Sequence, residues 1–148
     1  MTGRLAGRVG VITGGGGGIG RAGALRFAAE GAALVLLDPD EPGAGRTVAD
    51  IEAAGGRAVA VGGDCAAEAD VRAAVRAAVE TWGKLDLLWA NAGIGVSKTV
   101  PETTLAEWER VVAVNLNGAF LLAKYGIPEL TRAGGGWSCT RFTTRRST

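Results

Sequence analysis

The sequence predicts an α/β fold, a doubly wound and mostly parallel sheet with helices on both of its faces. Short apolar runs typical of buried strands alternate with longer segments of helical periodicity. The chain has 25 glycines, and their clusters separate these runs as turns separate strands from helices. A length of 148 residues is typical of a single domain, and 47% of the residues are apolar, which is enough to form a buried core.

The first half of the chain predicts two units of strand followed by helix. Residues 8–13 form a short β-branched run that ends at a glycine cluster, and residues 19–30 follow with helical spacing. Residues 33–38 form a continuous apolar run, which is typical of a strand covered on both faces. Pro42 separates this strand from a second helix that carries Ile51.

The second half predicts two further units. Residues 57–63 repeat the strand pattern, and residues 68–82 place apolar side chains on one helical stripe. A buried strand over 85–90 precedes a long helix over 104–124, and Pro128 marks the predicted end of that helix. The side chains predicted to face inward from this helix are Leu105, Trp108, Val111, Val112, Leu116, Ala119 and Phe120.

The pattern ends near Leu130, so the sequence predicts an incomplete sheet of four strands with four helices. Residues 134–148 show no convincing period, and 137–142 are at best a poor strand, which predicts a folded domain over 1–133 and then a disordered tail. After Glu129 the chain has four arginines and no acidic residue. This abrupt change is typical of a frame-shifted or truncated gene, and a basic tail for an acidic partner is the alternative.

Composition excludes several kinds of site. The chain has no histidine, which excludes histidine bases and most zinc sites, and its two cysteines are too far apart in sequence for a metal cluster. Sixteen basic residues nearly balance 15 acidic ones, which argues against a nucleic-acid partner. The start lacks an apolar signal core, and the longest apolar run, 32–37, is far shorter than the roughly 20 residues of a membrane helix. We expect a cytoplasmic protein without a membrane partner.

The turn after the first predicted strand carries the clearest chemical signal. It reads TGGGGGIG and leads directly into a helix. Glycines let the backbone approach phosphates, and a helix N-terminus supplies N–H donors and the positive end of a dipole. Two registers fit: Gly15, Gly17 and Gly20 give G-x-G-x-x-G, while Gly14, Gly18 and Gly20 give a wider spacing.

An acidic residue follows where a dinucleotide-binding fold needs one. Asp38 ends the second strand, 18 residues after Gly20, where a carboxylate accepts hydrogen bonds from the adenosine ribose. Its charge repels a 2′-phosphate, which predicts NAD rather than NADP; a solvated turn residue is the alternative. Nucleoside triphosphate binding is disfavoured, because Arg21 and Ala22 replace the lysine and hydroxyl residue of a P-loop.

Four segments of the chain occur in the order of a known family's motifs. Residues 13–20 fit its glycine signature in the wider register, and Asp64 with Cys65 fits the acid and small residue after its third strand. Residues 90–93 fit its Asn-Asn-Ala-Gly motif with alanine first, and Asn115 fits the asparagine of its long helix. The chain thus resembles the N-terminal, cofactor-binding part of the short-chain dehydrogenase/reductase family, which implies a Rossmann-type fold.

The resemblance implies a site for NAD. Asp64 would accept a hydrogen bond from the adenine amino group, with capping of the next helix as the alternative. Asn91 would lie at the switch point of the sheet, with an ordinary turn as the alternative. Asn115 would be the catalytic residue that holds a water in a proton relay, or else a structural amide that bends its helix. The implied cofactor-binding residues are Gly14, Gly18, Ile19, Gly20, Asp38, Asp64, Cys65, Asn91, Ala92 and Gly93.

The sequence departs from the family where the reaction would occur. The family uses a tyrosine with a lysine four residues later, whereas Tyr125 is followed at that distance by Glu129, and no lysine follows Lys124. The resemblance implies oxidation of a secondary alcohol or reduction of a ketone by homo-oligomers that associate through the long helix. Without the pair, we expect the chain as written to be inactive; a non-catalytic dinucleotide-binding or interaction module is the alternative.

Overall fold

A computed structural model describes residues 3–140, and in this range five parallel strands form one sheet with helices on both faces. The strand order is β3-β2-β1-β4-β5, which confirms the predicted Rossmann-type, doubly wound class. The strands are β1 (Val9–Thr13), β2 (Ala33–Asp38), β3 (Arg57–Gly62), β4 (Leu87–Ala90) and β5 (Trp137–Thr140). The helices are α1 (Gly18–Ala29), α2 (Glu41–Ala53), α3 (Glu68–Trp82), α4 (Leu105–Val112) and α5 (Gly118–Arg132).

The order of the strands places a topological switch point between β1 and β4. The chain runs outward from β1 through β2 to β3, and the α3 crossover then returns it to the other side of β1. The carboxyl ends of β1 and β4 therefore diverge into separate connections and leave a crevice, where open α/β sheets bind their ligands. Two apolar layers hold the sheet in place, one with α1 and α2 and the other with α3 and α5.

The long helix differs from its predicted extent. Helical backbone runs from 105 to 132, and a π-helical segment, Ala113–Asn117, joins α4 to α5. Pro128 lies inside α5, so the prediction that it ends the helix is wrong. The helix continues because residues on both sides of the proline pack on the sheet: Leu130 is buried, and a Cβ at Gly126 would lie 2.5 Å from Leu88 Cδ1.

Four of the seven side chains predicted to face inward from this helix are exposed instead, while Val111, Val112 and Ala119 are half-buried. Leu105, Trp108 and Phe120 are 70%, 60% and 62% exposed, and Leu116 is exposed as well. The buried positions are Val114, Gly118, Leu122, Gly126 and Leu130, which recur every four residues. The π-helical segment changes the phase of the helix, and small residues allow the close approach to the sheet, so the largest apolar side chains remain on the surface.

The segment 105–132 also meets the length and composition of a membrane span. It has 28 residues, and the mean hydropathy of its most apolar window is 1.2. Core helices of soluble proteins pass the same test, and one face of this helix packs on the sheet. Length and composition alone therefore do not assign the helix to a membrane.

The region predicted as a disordered tail begins with a strand. Gly134 and Gly135 adopt φ values of 89° and 107°, which turn the chain back toward the sheet. β5 then pairs with β4 in parallel, with Leu87 opposite Trp137, and all four β5 residues are exposed. Backbone pairing with the free edge of β4 holds this strand, which explains why it shows no apolar pattern. Residues 141–148 of the predicted tail lie outside the described residues.

A buried carboxylate fastens the start of β4 to its neighbours. Asp86 is 1% exposed and accepts hydrogen bonds from the Val9 N–H at 2.9 Å, Arg8 Nη1 at 3.0 Å and Lys84 Nζ at 3.1 Å. Its own backbone N–H donates to Val9, and its carbonyl accepts from Trp137. Burial alone raises the pKa of Asp86, but the Val9 N–H and the two cations outweigh it and lower the pKa below its usual range.

Replacing Asp86 should therefore change stability and its pH dependence. We expect Asp86→Asn to lower the free energy of unfolding at neutral pH by about 3 kcal/mol, because two partly buried cations lose their counter-charge. The lowered pKa means that the stability from Asp86 is present above the unfolded-state pKa and is lost as pH falls through the folded-state pKa. Urea unfolding between about pH 5 and pH 3 should show a shallower slope in Asp86→Asn.

The surface variant Asp50→Asn is the matched control for this measurement. Asp50 pairs with Arg21 on the surface, so its loss should cost about 1 kcal/mol or less. Equal pH slopes for the wild type and Asp86→Asn would show that Asp86 does not hold β4 as described.

Candidate functional site

The glycine turn after β1 folds back on itself. Gly14 and Gly18 have φ values of 73° and 51°, in the left-handed region that favours glycine. A Cβ at Gly20 would lie 1.8 Å from the Gly14 carbonyl oxygen, so that position has no room for a side chain. Gly17, in contrast, has an extended backbone with φ −163°. The backbone thus favours glycine at Gly14 and Gly18 and excludes a side chain at Gly20, which are the three positions of the wider register.

The start of α1 leaves N–H donors facing open space. The first N–H groups of a helix have no partner within it, and among the described residues no side chain caps α1 at Gly17. The first turn contains no acidic residue, and a Cβ at Gly17 or Gly18 would meet no described atom within 4 Å. Ile19 is exposed beside this opening. An anion can approach these donors and the positive end of the helix dipole.

Asp38 is fastened to the glycine turn rather than freely solvated. Its Oδ2 accepts a hydrogen bond from the Gly16 N–H at 2.8 Å, and its Oδ1 accepts from the Asp40 N–H at 2.9 Å. Each carboxylate oxygen has a second lone pair for another donor. A negative charge with acceptor capacity thus stands at the end of β2, beside the glycine turn.

Asn91 joins the ends of β1 and β4 at the switch point. Its buried Nδ2 donates to the carbonyls of Thr13 at 3.1 Å and Gly14 at 3.3 Å. The backbone N–H groups of Asn91 and Ala92 both donate to Thr13 Oγ1, at 3.1 and 3.0 Å. Asn91 is therefore a buried connector and not an ordinary turn residue, and Gly93 follows it at the exposed mouth of the crevice.

Asp64 lies after β3, at the same edge of the sheet. Its Oδ1 accepts from the Ala66 N–H at 2.9 Å, and its Oδ2 accepts from Arg110 Nη1 at 2.7 Å. Burial raises the pKa of Asp64, but these two donors lower it overall. The N-cap of α3 is Ala67, so the predicted alternative that Asp64 caps this helix is wrong; Asp70 instead reaches back to accept from the Asp64 N–H.

Cys65 points away from the opening and into the core. Its buried Sγ lies 3.8 Å from the Val114 carbonyl oxygen, and a Cβ at Gly118 would come within 2.9 Å of that sulfur. Burial raises the pKa of the Cys65 thiol to about 11, and the neighbouring Asp64 charge acts in the same direction. The thiol is thus protonated at neutral pH, and its packing aligns the π-helical segment with the turn after β3.

Asn115 lies in the π-helical segment and binds the loop after β4. Its Oδ1 accepts from the Ile94 N–H at 2.8 Å, and its Nδ2 donates to the Ile94 carbonyl at 2.9 Å. These two bonds fit the alternative in which Asn115 is a structural amide at a helix irregularity. A proton relay through this residue stays a prediction.

Sequence reasoning missed two contributors to this region. Thr13 begins the glycine signature, but the sequence gives no sign that its hydroxyl receives two N–H groups from the turn after β4. Arg110 gives no signal at all, because its contact with Asp64 joins distant parts of the chain.

Within residues 3–140, no group of three or more His, Cys, Asp or Glu side chains is placed to hold a metal ion.

Comparison with known proteins decides the family. Residues 8–137 match the family model described as short chain dehydrogenase. The chain belongs to the short-chain dehydrogenase family. Families of this type are oxidoreductases that use a nicotinamide cofactor, and the glycine turn, Asp38 and Asn91 occupy the end of the sheet where such a fold binds its ligand.

Three proteins with known names are similar to this short-chain dehydrogenase. It is 44% identical over 136 residues to 2,5-dichloro-2,5-cyclohexadiene-1,4-diol dehydrogenase LinX of Sphingobium indicum, covering 92% of the chain and 54% of the relative. It is 39% identical over 137 residues to cyclohexanol dehydrogenase of Acinetobacter sp., covering 92% and 55%. The structure of 3-ketoacyl-(acyl-carrier-protein) reductase from Brucella melitensis complexed with NADH superposes with a TM-score of 0.82 at 42% identity, covering 88% and 52%. The chain spans about half the length of the curated relatives it matches.

Proposed function

We propose that this chain binds NAD(H) at the turn between β1 and α1, as the cofactor-binding part of a dehydrogenase that interconverts secondary alcohols and ketones. The position of Asp38 carries the proposal. A carboxylate held 2.8 Å from the Gly16 N–H stands where the adenosine ribose of a dinucleotide would meet the turn. The nicotinamide, when bound, supplies the site that accepts or donates a hydride.

The residues present fit the parts of a dinucleotide. Backbone N–H groups at Gly18, Ile19 and Gly20 would hold the diphosphate, since they lie in the open first turn of α1. Asp38 would accept from the ribose hydroxyls. The half-buried Ala92 and the exposed Gly93, which follow Asn91, would line the nicotinamide end of the crevice. At the adenine end, the Asp64 carboxylate would accept a hydrogen bond from the base. Cys65 would contact the base only through its backbone, because its side chain is buried in the core.

The charges near the turn favour NAD over NADP. A 2′-phosphate would meet the Asp38 carboxylate, and like charges in contact repel. Arg21, which directly follows the glycine turn, is paired with Asp50 on α2, and Arg46 is paired with Asp40 at 3.6 Å. These ion pairs engage the two cations that could otherwise offset the repulsion.

The 148 residues contain no Tyr-x-x-x-Lys, the pair that transfers the proton in the family's reaction. Tyr125 lies on α5, and its hydroxyl contacts the Glu68 carboxylate on α3, which Lys124 also binds at 2.8 Å. This cluster joins the surfaces of α3 and α5. The glycine turn is nevertheless intact, and this combination favours a second candidate function, a non-catalytic dinucleotide-binding module.

Turnover and binding measured together test whether this chain binds the cofactor and whether it is itself an enzyme. We expect no NADH oxidation above background with a panel of small ketones, and saturable NADH binding under the same conditions. A ketone-dependent rate that Asn115→Ala abolishes would show that the chain is an enzyme and that Asn115 takes part.

We also propose a cytoplasmic homo-oligomer without a nucleic-acid or membrane partner. Leu105, Trp108, Leu116 and Phe120 place large apolar side chains on the surface of α4 and α5, which is typical of an interface. Sedimentation velocity should show a species larger than one chain, and Phe120→Glu should shift it toward the monomer. A monomeric wild type would contradict the homo-oligomer.

A further inference from the structure

The contact between Arg110 and Asp64 fixes a carboxylate at both of its oxygens. Arg110 Nη1 on α4 binds Oδ2 at 2.7 Å, while the Ala66 N–H binds Oδ1 at 2.9 Å. Each oxygen of a carboxylate offers two lone pairs, so each oxygen of Asp64 retains one. The carboxylate is one-third exposed, and its remaining acceptor directions are therefore open to a ligand in an orientation that the two donors set.

Asp64 stands one strand beyond Asp38 along the same edge of the sheet. Asp38 pairs with Gly62 in the parallel register, and the Gly63 N–H donates to the Asp38 carbonyl at 3.1 Å. The next residue is Asp64. A dinucleotide whose ribose is held at Asp38 and whose diphosphate lies at α1 must extend its base away from α1, across the end of β3. The edge of that base would then meet the carboxylate of Asp64.

We propose that Arg110 positions the Asp64 carboxylate so that it selects the 6-amino group of adenine, an inference that rests on the proposed NAD(H) site. Arg110 does not touch the base in this account; it acts through Asp64 and is a positioning residue. The amino group donates in the plane of the purine, so it needs an acceptor lone pair in that plane. Without Arg110, the side chain of Asp64 is held on one oxygen only and can rotate away.

The test compares two dinucleotides that differ only at this group. Reduced nicotinamide purine dinucleotide carries a hydrogen where NADH carries the adenine amino group. We expect the wild type to bind NADH about tenfold more tightly than the purine analogue, as a hydrogen bond to a charged acceptor provides. Arg110→Met should reduce this preference to about twofold, through weaker NADH binding with little change for the analogue.

Two further variants make the result specific. Arg110→Lys keeps a cation within reach of Asp64 and should restore part of the preference. Arg76→Met removes an exposed arginine from α3, where it pairs only loosely with Glu80 at 3.8 Å, and should leave the preference unchanged. Thermal unfolding of each variant shows whether a loss reflects folding instead.

Each other outcome overturns the inference. A wild type that binds both dinucleotides equally would show that Asp64 does not recognise the amino group. Equal weakening of both ligands in Arg110→Met, or an unchanged preference, would show that Arg110 is only structural, while the proposed cofactor site would stand. Failure of the folded wild type to bind either dinucleotide would overturn the proposed function together with this inference.

Discussion

Replacing Gly20 by alanine should destabilise the turn after β1 and abolish NADH binding. A Cβ there would lie 1.8 Å from the Gly14 carbonyl oxygen and 2.6 Å from Asn91 Nδ2. Neither atom can retreat, because the first belongs to the backbone of the turn and the second is buried and bound to Thr13 and Gly14. We expect the free energy of unfolding to fall by about 3 kcal/mol, as overpacking of a rigid site costs.

Gly45→Ala is the matched control for this substitution. Gly45 lies on the exposed side of α2, and a Cβ there meets no described atom within 4 Å. Alanine in a helix interior should stabilise the chain by up to about 1 kcal/mol and leave NADH binding unchanged. Urea unfolding and an NADH titration measure both effects. If Gly20→Ala were as stable as Gly45→Ala and bound NADH equally well, the close approach of Gly20 to the turn would be refuted.

Asp38→Asn should reverse the choice between NADH and NADPH. The amide removes the charge that repels a 2′-phosphate. Its single oxygen can still accept from the Gly16 N–H, which holds the glycine turn, while the Asp40 N–H loses its acceptor. We expect NADH affinity to fall about tenfold, because the ribose loses a charged acceptor, and NADPH affinity to rise about tenfold. The ratio of the two dissociation constants should therefore change about a hundredfold.

Glu52→Gln is the control for the charge change alone. It removes one negative charge from an exposed position on α2, and it should leave the cofactor ratio unchanged. Titrations of both reduced cofactors into each variant give the ratio directly. An unchanged ratio in Asp38→Asn would mean that this carboxylate does not face the adenosine ribose.

The sequence predicts best where one physical signal dominates. The bounds of β2 and α3 match their predictions at both ends, because a fully buried strand is continuously apolar and α3 carries one clean stripe. The long helix is different. Its largest apolar side chains suggest that the face they share packs on the sheet. The π-helical segment and the small residues Gly118 and Gly126 instead bring another face of the helix onto the sheet.

The sequence likewise predicts some residues of the candidate site and misses others. The glycine turn and Asp38 are local in sequence, so their spacing alone indicates their place at the ends of β1 and β2. Contacts between distant residues leave no such pattern: the Arg110–Asp64 pair and the anchoring of Ile94 by Asn115 depend on how the helices pack. β5 is unpredictable for a related reason, since its backbone pairs with β4 while its side chains are exposed.

Calorimetric titration of NADH and NADPH into the wild-type chain tests the central claim, that the turn after β1 binds NAD(H). The account predicts one saturable site per chain for NADH, with a dissociation constant on the order of micromolar and at least about tenfold weaker binding of NADPH. Circular dichroism and cooperative unfolding first establish that the chain is folded. A folded chain that gives no saturable binding of NADH, or that binds NADPH more tightly, would contradict the account.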